Sequence, residues 1–316
     1  MAEASRAPVD GPAPRSGGLR VFFELGKMRI VELWIGFFVG VTLLDAAALA
    51  APRALAILGL ILCVGVAVIA ATCSLDDIVG VRDGVDQANH RGGARWGVNK
   101  PILSGELSEA RAFRFVHLLA LVAVTGFAGV LALAWPLPTW LLVAMPAMML
   151  IALNYSYGLK LSYRGGGELV ILTGAAGTVL IPCALITREA SPMLLTESLL
   201  VGLWHAQVVV FSNTQDAAGD RATGRMTIAA RTTERGNRLY ILGVFTCSAA
   251  VGVAGLVAGF LPVAYALALA PVWAVQLMQL RRGLGQRRWL DARLLGFRNV
   301  RLGVAALVVA NLCLRG

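Results

Sequence analysis

The chain has 316 residues, 58% of them hydrophobic and only 15% charged, with a mean hydropathy of +0.73. A soluble domain of this size cannot bury so much apolar surface, so the composition excludes an ordinary water-soluble enzyme and indicates a polytopic helical membrane protein. The formal net charge of +10 would suit nucleic acid, but its distribution along the chain assigns it to topology instead.

Residues 1–18 are rich in Ala, Pro, Gly and Ser and predict a disordered leader. No short apolar segment with a cleavage site follows, so the first span is expected to be retained and not removed as a signal peptide. The remainder, 19–316, reads as one all-α transmembrane domain. Apolar runs near the ~20 residues needed to cross a bilayer fall at 29–50, 54–75, 113–135, 138–156, 167–187, 195–213, 238–260, 263–280 and 299–314. That makes nine, the last one short. Of the 28 Lys and Arg, 25 lie in residues 1–29 and in the stretches 75–114, 156–166, 214–238 and 280–301, all on one side of that topology. The positive-inside rule then makes the N-terminus and these loops cytoplasmic and the C-terminus external, and no nucleic-acid partner is implied. The five cysteines form no CxxC pair and fall in or at the ends of apolar runs, which supports neither a disulfide framework nor a zinc site.

The first span carries Glu32, an ionisable group expensive to place in a membrane and therefore a candidate functional residue, against the simpler reading of an ion pair with Arg29. The second span runs into CSLDDIVGVRDGVDQANHR, which holds Asp76, Asp77, Asp83 and Asp86. At 100° per residue, Asp76 and Asp83 lie within about 20° of each other and Asp86 about 60° further round, whereas Asp77 points away. Gly80 and Gly84 loosen that projection. Farther on, Lys100-Pro101 and Ser104-Gly105 are turn chemistry, with Ser108 as the N-cap of the third span. His117 and His205 have no partner at ligand spacing and are expected to be satisfied core histidines. The fourth span ends in NYSYGLK, where Tyr155, Tyr157 and Lys160 cluster; Lys100 and Lys160 are two of only three lysines in the chain and offer compact point charges for phosphate oxygens. After the sixth span, NTQDAAGDR places Asn213, Asp216 and Asp220 on one helix face at i, i+3 and i+7, with Arg221 beside them.

Two clusters in which carboxylates predominate and no His or Cys repeats at ligand spacing suit a hard divalent cation such as Mg2+. Added lysines and arginines at the mouth of an apolar bundle suit a diphosphate with a long hydrocarbon tail. Metals and cations would stabilise the charge that develops on the leaving diphosphate, and nonpolar walls would keep water from the carbocation.

These motifs resemble those of the UbiA superfamily of intramembrane prenyltransferases. Asn213, Asp216 and Asp220, followed by Arg221, Gly224 and Thr227, match its second aspartate motif; Tyr155 to Lys160 resembles its YS-then-LK element; Lys100-Pro101 with Ser104-Gly105 resembles its RP-then-SG stretch. The resemblance covers nearly the whole chain beyond the leader. It implies nine transmembrane helices around a central cavity, dependence on Mg2+, and an isoprenoid diphosphate substrate with an aromatic acceptor. On this reading Asp76, Asp83, Asp216 and Asp220 are catalytic and, with Asp86, hold metal, while Lys100, Tyr155, Lys160, Arg221 and Asn213 bind the diphosphate. The first motif departs from the family pattern: Asp76 stands where Asn is usual, two residues are inserted, and forward alignment puts Gly80 and Gly84 at ligand places. That departure leaves room for a membrane terpene cyclase that needs no acceptor. A transporter is disfavoured, because the acids lie at span ends and not at the bilayer midplane.

Overall fold

The computed structural model describes residues 18–89 and 100–314, so the leader expected at 1–18 lies almost wholly outside the described residues. The described residues form helices joined by short loops. They are α1 (Leu19–Leu25), α2 (Gly36–Thr42), α3 (Ala46–Ala50), α4 (Pro52–Arg82), α5 (Val85–Asn89), α6 (Glu109–Ala134), α7 (Thr139–Leu153), α8 (Gly167–Thr187), α9 (Pro192–Ala222), α10 (Ile228–Arg231), α11 (Glu234–Val257), α12 (Tyr265–Leu280) and α13 (Trp289–Cys313). Six of these, α4, α6, α8, α9, α11 and α13, are long and apolar enough to cross a membrane, and α7 is a shorter apolar helix.

Each expected span has a helical counterpart except the first, which is broken. Residues 29–50 become a 3-10 turn (Val31–Leu33), then α2, then α3. Close packing explains the irregular path. A Cβ on Gly40 would sit 2.1 Å from the Val179 carbonyl oxygen, and one on Gly36 2.3 Å from Thr178 Oγ1, so α2 lies directly against the backbone of α8. α9 is the axis of the bundle: 83% of its most apolar stretch is buried, against 22–50% for the other five long helices. Pro192 at its first turn and Ser191 accepting from the Leu194 N–H start it cleanly. The outward faces carry exposed Leu121, Val143 and Leu267, the surface a bilayer would cover. Near the first turns of α9, Glu197 accepts from Asn311 Nδ2 (3.1 Å), which also donates to Thr42 Oγ1 (3.1 Å), and the Tyr265 hydroxyl donates to Asn311 Oδ1. This buried polar knot ties α9 to α2, α12 and α13.

Candidate active site

At the opposite end of α9, the ends of α4 and α9 and the starts of α8 and α13 surround a polar cavity of about 1240 Å3 counted out to its mouth. Its two acidic clusters are built differently. α4 stops at Arg82, and Gly84 takes a left-handed φ of +77°, a conformation glycine adopts at little cost, which sends α5 off in a new direction. A helical projection therefore fails past Arg82. Asp76 and Asp86 line the cavity, but Asp83 does not: it faces outward and pairs with Lys160 at 2.6 Å, both partly exposed. Asp86 folds back onto α4, so that a Cβ on Gly80 would lie 2.8 Å from its carboxyl carbon and both oxygens. Asp77, off the cavity wall, is fully buried between Lys27 (3.3 Å) and Lys100 (3.2 Å).

Three cations converge on this first cluster. Lys27 is 3.5 Å from Asp76, Lys100 is 2.5 Å from Asp86, and Arg225 is 3.5 Å from Asp76, whose other contact is a 2.6 Å hydrogen bond from Ser156. Burial pulls the Lys27 ammonium down, yet the carboxylates around it, Asp77 foremost, hold it well above a free lysine. Burial likewise works against Arg225, but Asp76, Tyr155, Asp220 and Tyr163 together outweigh it, so the guanidinium stays firmly charged. Burial raises Asp86 above the usual carboxylate range against the pull of Lys100, and pushes the Tyr155 hydroxyl up to about 12 against the pull of Arg225.

The second cluster sits on an unbroken helix, so its spacing works as expected. Asn213, Asp216 and Asp220 are all buried and all line the cavity. Asn213 donates to Glu168 at the start of α8 (2.8 Å), and Asp220 accepts from Asn89 (2.9 Å) and Thr227 (3.3 Å). Lys100 and Tyr155 also line the cavity.

Two of the expected diphosphate ligands stand elsewhere. Lys160 is held by Asp83 over the Tyr163 ring, and Arg221 is exposed, donating to the Ala230 carbonyl (2.9 Å) to brace the turn into α10. Lys27 and Arg225 take the cavity positions instead, Arg225 standing over the rings of Tyr155 (5.9 Å) and Tyr163 (5.3 Å). Lys27 was findable as the third lysine; Arg225 lies past the end of α9, where helical spacing no longer applies. Glu32 pairs with Arg301 (2.5 Å) and not with Arg29. His205 is buried, its ring nitrogens 2.8 Å from the Val201 carbonyl and 2.6 Å from that of Glu32, which anchors the broken first span to α9. His117, in contrast, is exposed.

Apart from Cys73 and His205 at its inner end, the donors facing the cavity are mainly carboxylate and amide oxygen, the chemistry of a hard cation. Among the described residues no three His, Cys, Asp or Glu converge on one point. This fits Mg2+, which takes one or two carboxylates per ion and fills its remaining positions with water and phosphate oxygens. Asp216 and Asp220 would hold one ion, and Asp76 and Asp86 face them from the other wall.

A second, apolar cavity of about 1150 Å3 runs between α4, α7, α8 and the broken first span, lined by residues such as Phe37, Ile61, Gly65, Met148, Gly174 and Ile181. Leu33, Thr72, Cys73, Ile171 and His205 line both cavities, so the two meet at a shared waist.

Comparison with known proteins agrees with this geometry. No curated protein sequence is similar enough to count as a match. Among solved structures, one of digeranylgeranylglyceryl phosphate synthase superposes with a TM-score of 0.60 at 14% identity, covering 93% of this chain and 99% of that one. The apo structure of a UbiA homolog from Aeropyrum pernix K1 gives 0.58 at 16% identity, covering 90% and 98%. Both show a common fold. The UbiA prenyltransferase family profile matches residues 33–300, and the chain is therefore an integral membrane protein belonging to that family.

Proposed function

We propose that the chain transfers a prenyl group from an isoprenoid diphosphate to an aromatic acceptor, with Mg2+ as cofactor and the polar cavity facing the cytoplasm. The observation that carries this reading is the waist: a cation-rich chamber opens directly into an apolar one. Lys27, Lys100 and Arg225 would grip the diphosphate oxygens by charge-assisted hydrogen bonds. Metal held by Asp216 and Asp220, and by Asp76 and Asp86, would add positive charge against the departing diphosphate. The first carbon of the tail would then lie at the waist, where Leu33 and Ile171 keep water from the allylic cation.

The apolar arm sets a length. From Thr72 to Ile61 on α4, and from Ile171 to Pro182 on α8, it follows eleven residues of helix, about 16 Å at 1.5 Å per residue. An isoprene unit adds four chain bonds of about 1.5 Å, so roughly three units fit beyond the waist. Farnesyl and geranylgeranyl diphosphates are the matching donors.

The test is product analysis with purified protein, Mg2+ and geranyl, farnesyl, geranylgeranyl or longer diphosphates, each with and without a phenolic acceptor. A prenylated acceptor, lost on chelation, is the expected result. A cyclic hydrocarbon or alcohol formed without acceptor would replace transfer by cyclisation. Full turnover in excess chelator would remove the metal from the mechanism.

A further inference from the structure

The cations of the polar cavity are matched by carboxylates with one exception. Lys27, Lys100 and Arg225 all pair with the first aspartate cluster. Arg293, one turn into α13, lines the same cavity, yet among the described residues no carboxylate or hydrogen-bond acceptor meets it, and its Nε is buried without a partner. Arg293 is half-buried, with its Nε out of water and unpartnered and the rest of the guanidinium open to the cavity, so this position is suited to an anion that arrives with a ligand. The guanidinium lies 5.6 Å from the ring of Phe297, one turn farther along α13 and also on the cavity wall.

The packing of α13 on α9 places this pair. A Cβ on Gly296 would sit 2.9 Å from Val208 Cγ2, and one on Gly303 2.3 Å from the Trp204 ring, so the two helices run antiparallel in close contact. Arg293 therefore stands about one turn nearer the aspartates than Val208, close to the level of Ser212 and Asn213. The apolar arm is lined from α4, α7, α8 and the first span, with His205 from α9, and no α13 residue is among them. The tail and the α13 wall thus approach the waist from different directions.

We infer that Arg293 and Phe297 form the acceptor subsite, in which Arg293 binds a carboxylate or phosphate on the acceptor and Phe297 packs against its flat ring. This rests on the prenyl-transfer reading above. It makes charge on the acceptor a determinant of specificity, set by a wall that touches neither the tail nor the first aspartate cluster. A planar fork matches either anion in bidentate fashion.

The experiment compares a hydroxylated aromatic carboxylic acid, the corresponding aryl phosphate and the uncharged methyl ester as acceptors, in wild type, Arg293→Gln and Arg293→Lys. Wild type should prefer one of the two anions over the ester by at least tenfold in KM, the scale of one charge-assisted contact. Which anion is favoured separates carboxylate from phosphate. Arg293→Gln should erase the preference, and Arg293→Lys should restore part of it, while the KM for the prenyl diphosphate moves less than about twofold. An anion preference that survives in Arg293→Gln, or a rise confined to the diphosphate KM, would overturn the subsite. Direct titration of the same three probes into the membrane protein in detergent needs no turnover. Anion-selective binding lost in Arg293→Gln supports the subsite even where the diphosphate only cyclises, which would sink prenyl transfer alone; no binding of any probe sinks the subsite alone. Should Arg293→Gln not fold, the acid-against-ester difference between wild type and Arg293→Lys decides the matter.

Discussion

The two acidic regions share a charge and a cavity but not an architecture. The α9 cluster lies on one uninterrupted helix, and Asp220 accepts from Asn89 and Thr227 among its partners. The α4–α5 cluster straddles a break at Gly84, and its aspartates are laced to Lys27, Lys100 and Arg225. One region sets its carboxylates by regular helical spacing; the other sets them by a lattice of carboxylates and cations around a break. The division suits a site that must attract a metal on one wall and a diphosphate on the other.

The sharpest way to break this comparison is charge removal. Asp216→Asn and Asp220→Asn keep shape while removing the charge, and each should lower diphosphate release by about two orders of magnitude or more at saturating Mg2+. Asp76→Asn should approach that loss, whereas Asp83→Asn, outside the cavity, should stay within about threefold, the scale of an exposed ion pair. An Asp83→Asn variant as dead as Asp216→Asn would mean that the outward pairing with Lys160 is not the working arrangement.

A smaller effect sharpens the role of the break. Gly80→Ala adds only a methyl group, but that methyl would meet the Asp86 carboxylate at 2.8 Å and push it from the wall. We expect turnover to fall roughly tenfold, the loss of one charge-assisted contact, with thermal stability lowered by at most about 3 kcal/mol as for other overpacked sites. Unaltered kinetics would show that the placement of Asp86 against α4 does not matter. Smaller again is the contrast among lysines: Lys27→Ala should weaken diphosphate affinity about tenfold in a binding assay, and Lys160→Ala less than about threefold. The reverse order would return the diphosphate to the α7–α8 loop.

Legibility in the sequence follows the same line between continuous and broken helix. Hydrophobic runs gave eight helices near their observed positions, and i, i+4 spacing put Asp216 and Asp220 on one face, because both arguments assume only a regular helix. The first span failed because the chain leaves regular helix before and after α2, whose glycines 36 and 40 hold it against α8, a tertiary arrangement with no local signal. The left-handed Gly84 resets the angular count only for Asp86 beyond it, whereas Asp83, still helical at the C-cap of α4, stands above the cavity wall and is paired outward with Lys160. Lys27 and Arg225 reach the site from turns, where residue type is visible but direction is not. Arg221 and Arg225 are alike in sequence; only the end of α9 between them decides which one enters the cavity.

The central burial of α9 has a consequence for biogenesis. It is much less apolar than α4 and carries Glu197, His205, Gln207 and Asn213 along its length. Such a segment partitions weakly into lipid by itself, since polar side chains at membrane depth are tolerated chiefly where protein covers them. Only four residues, 188–191, separate it from α8, so the two would leave the insertion machinery as a hairpin, with the more apolar α8 holding its partner in the bilayer. Full burial must then wait for α13, made well after α9, which supplies Asn311 to Glu197 and packs Gly303 on Trp204. The axis of the bundle would thus become secure in the membrane only after helices made much later had closed around it.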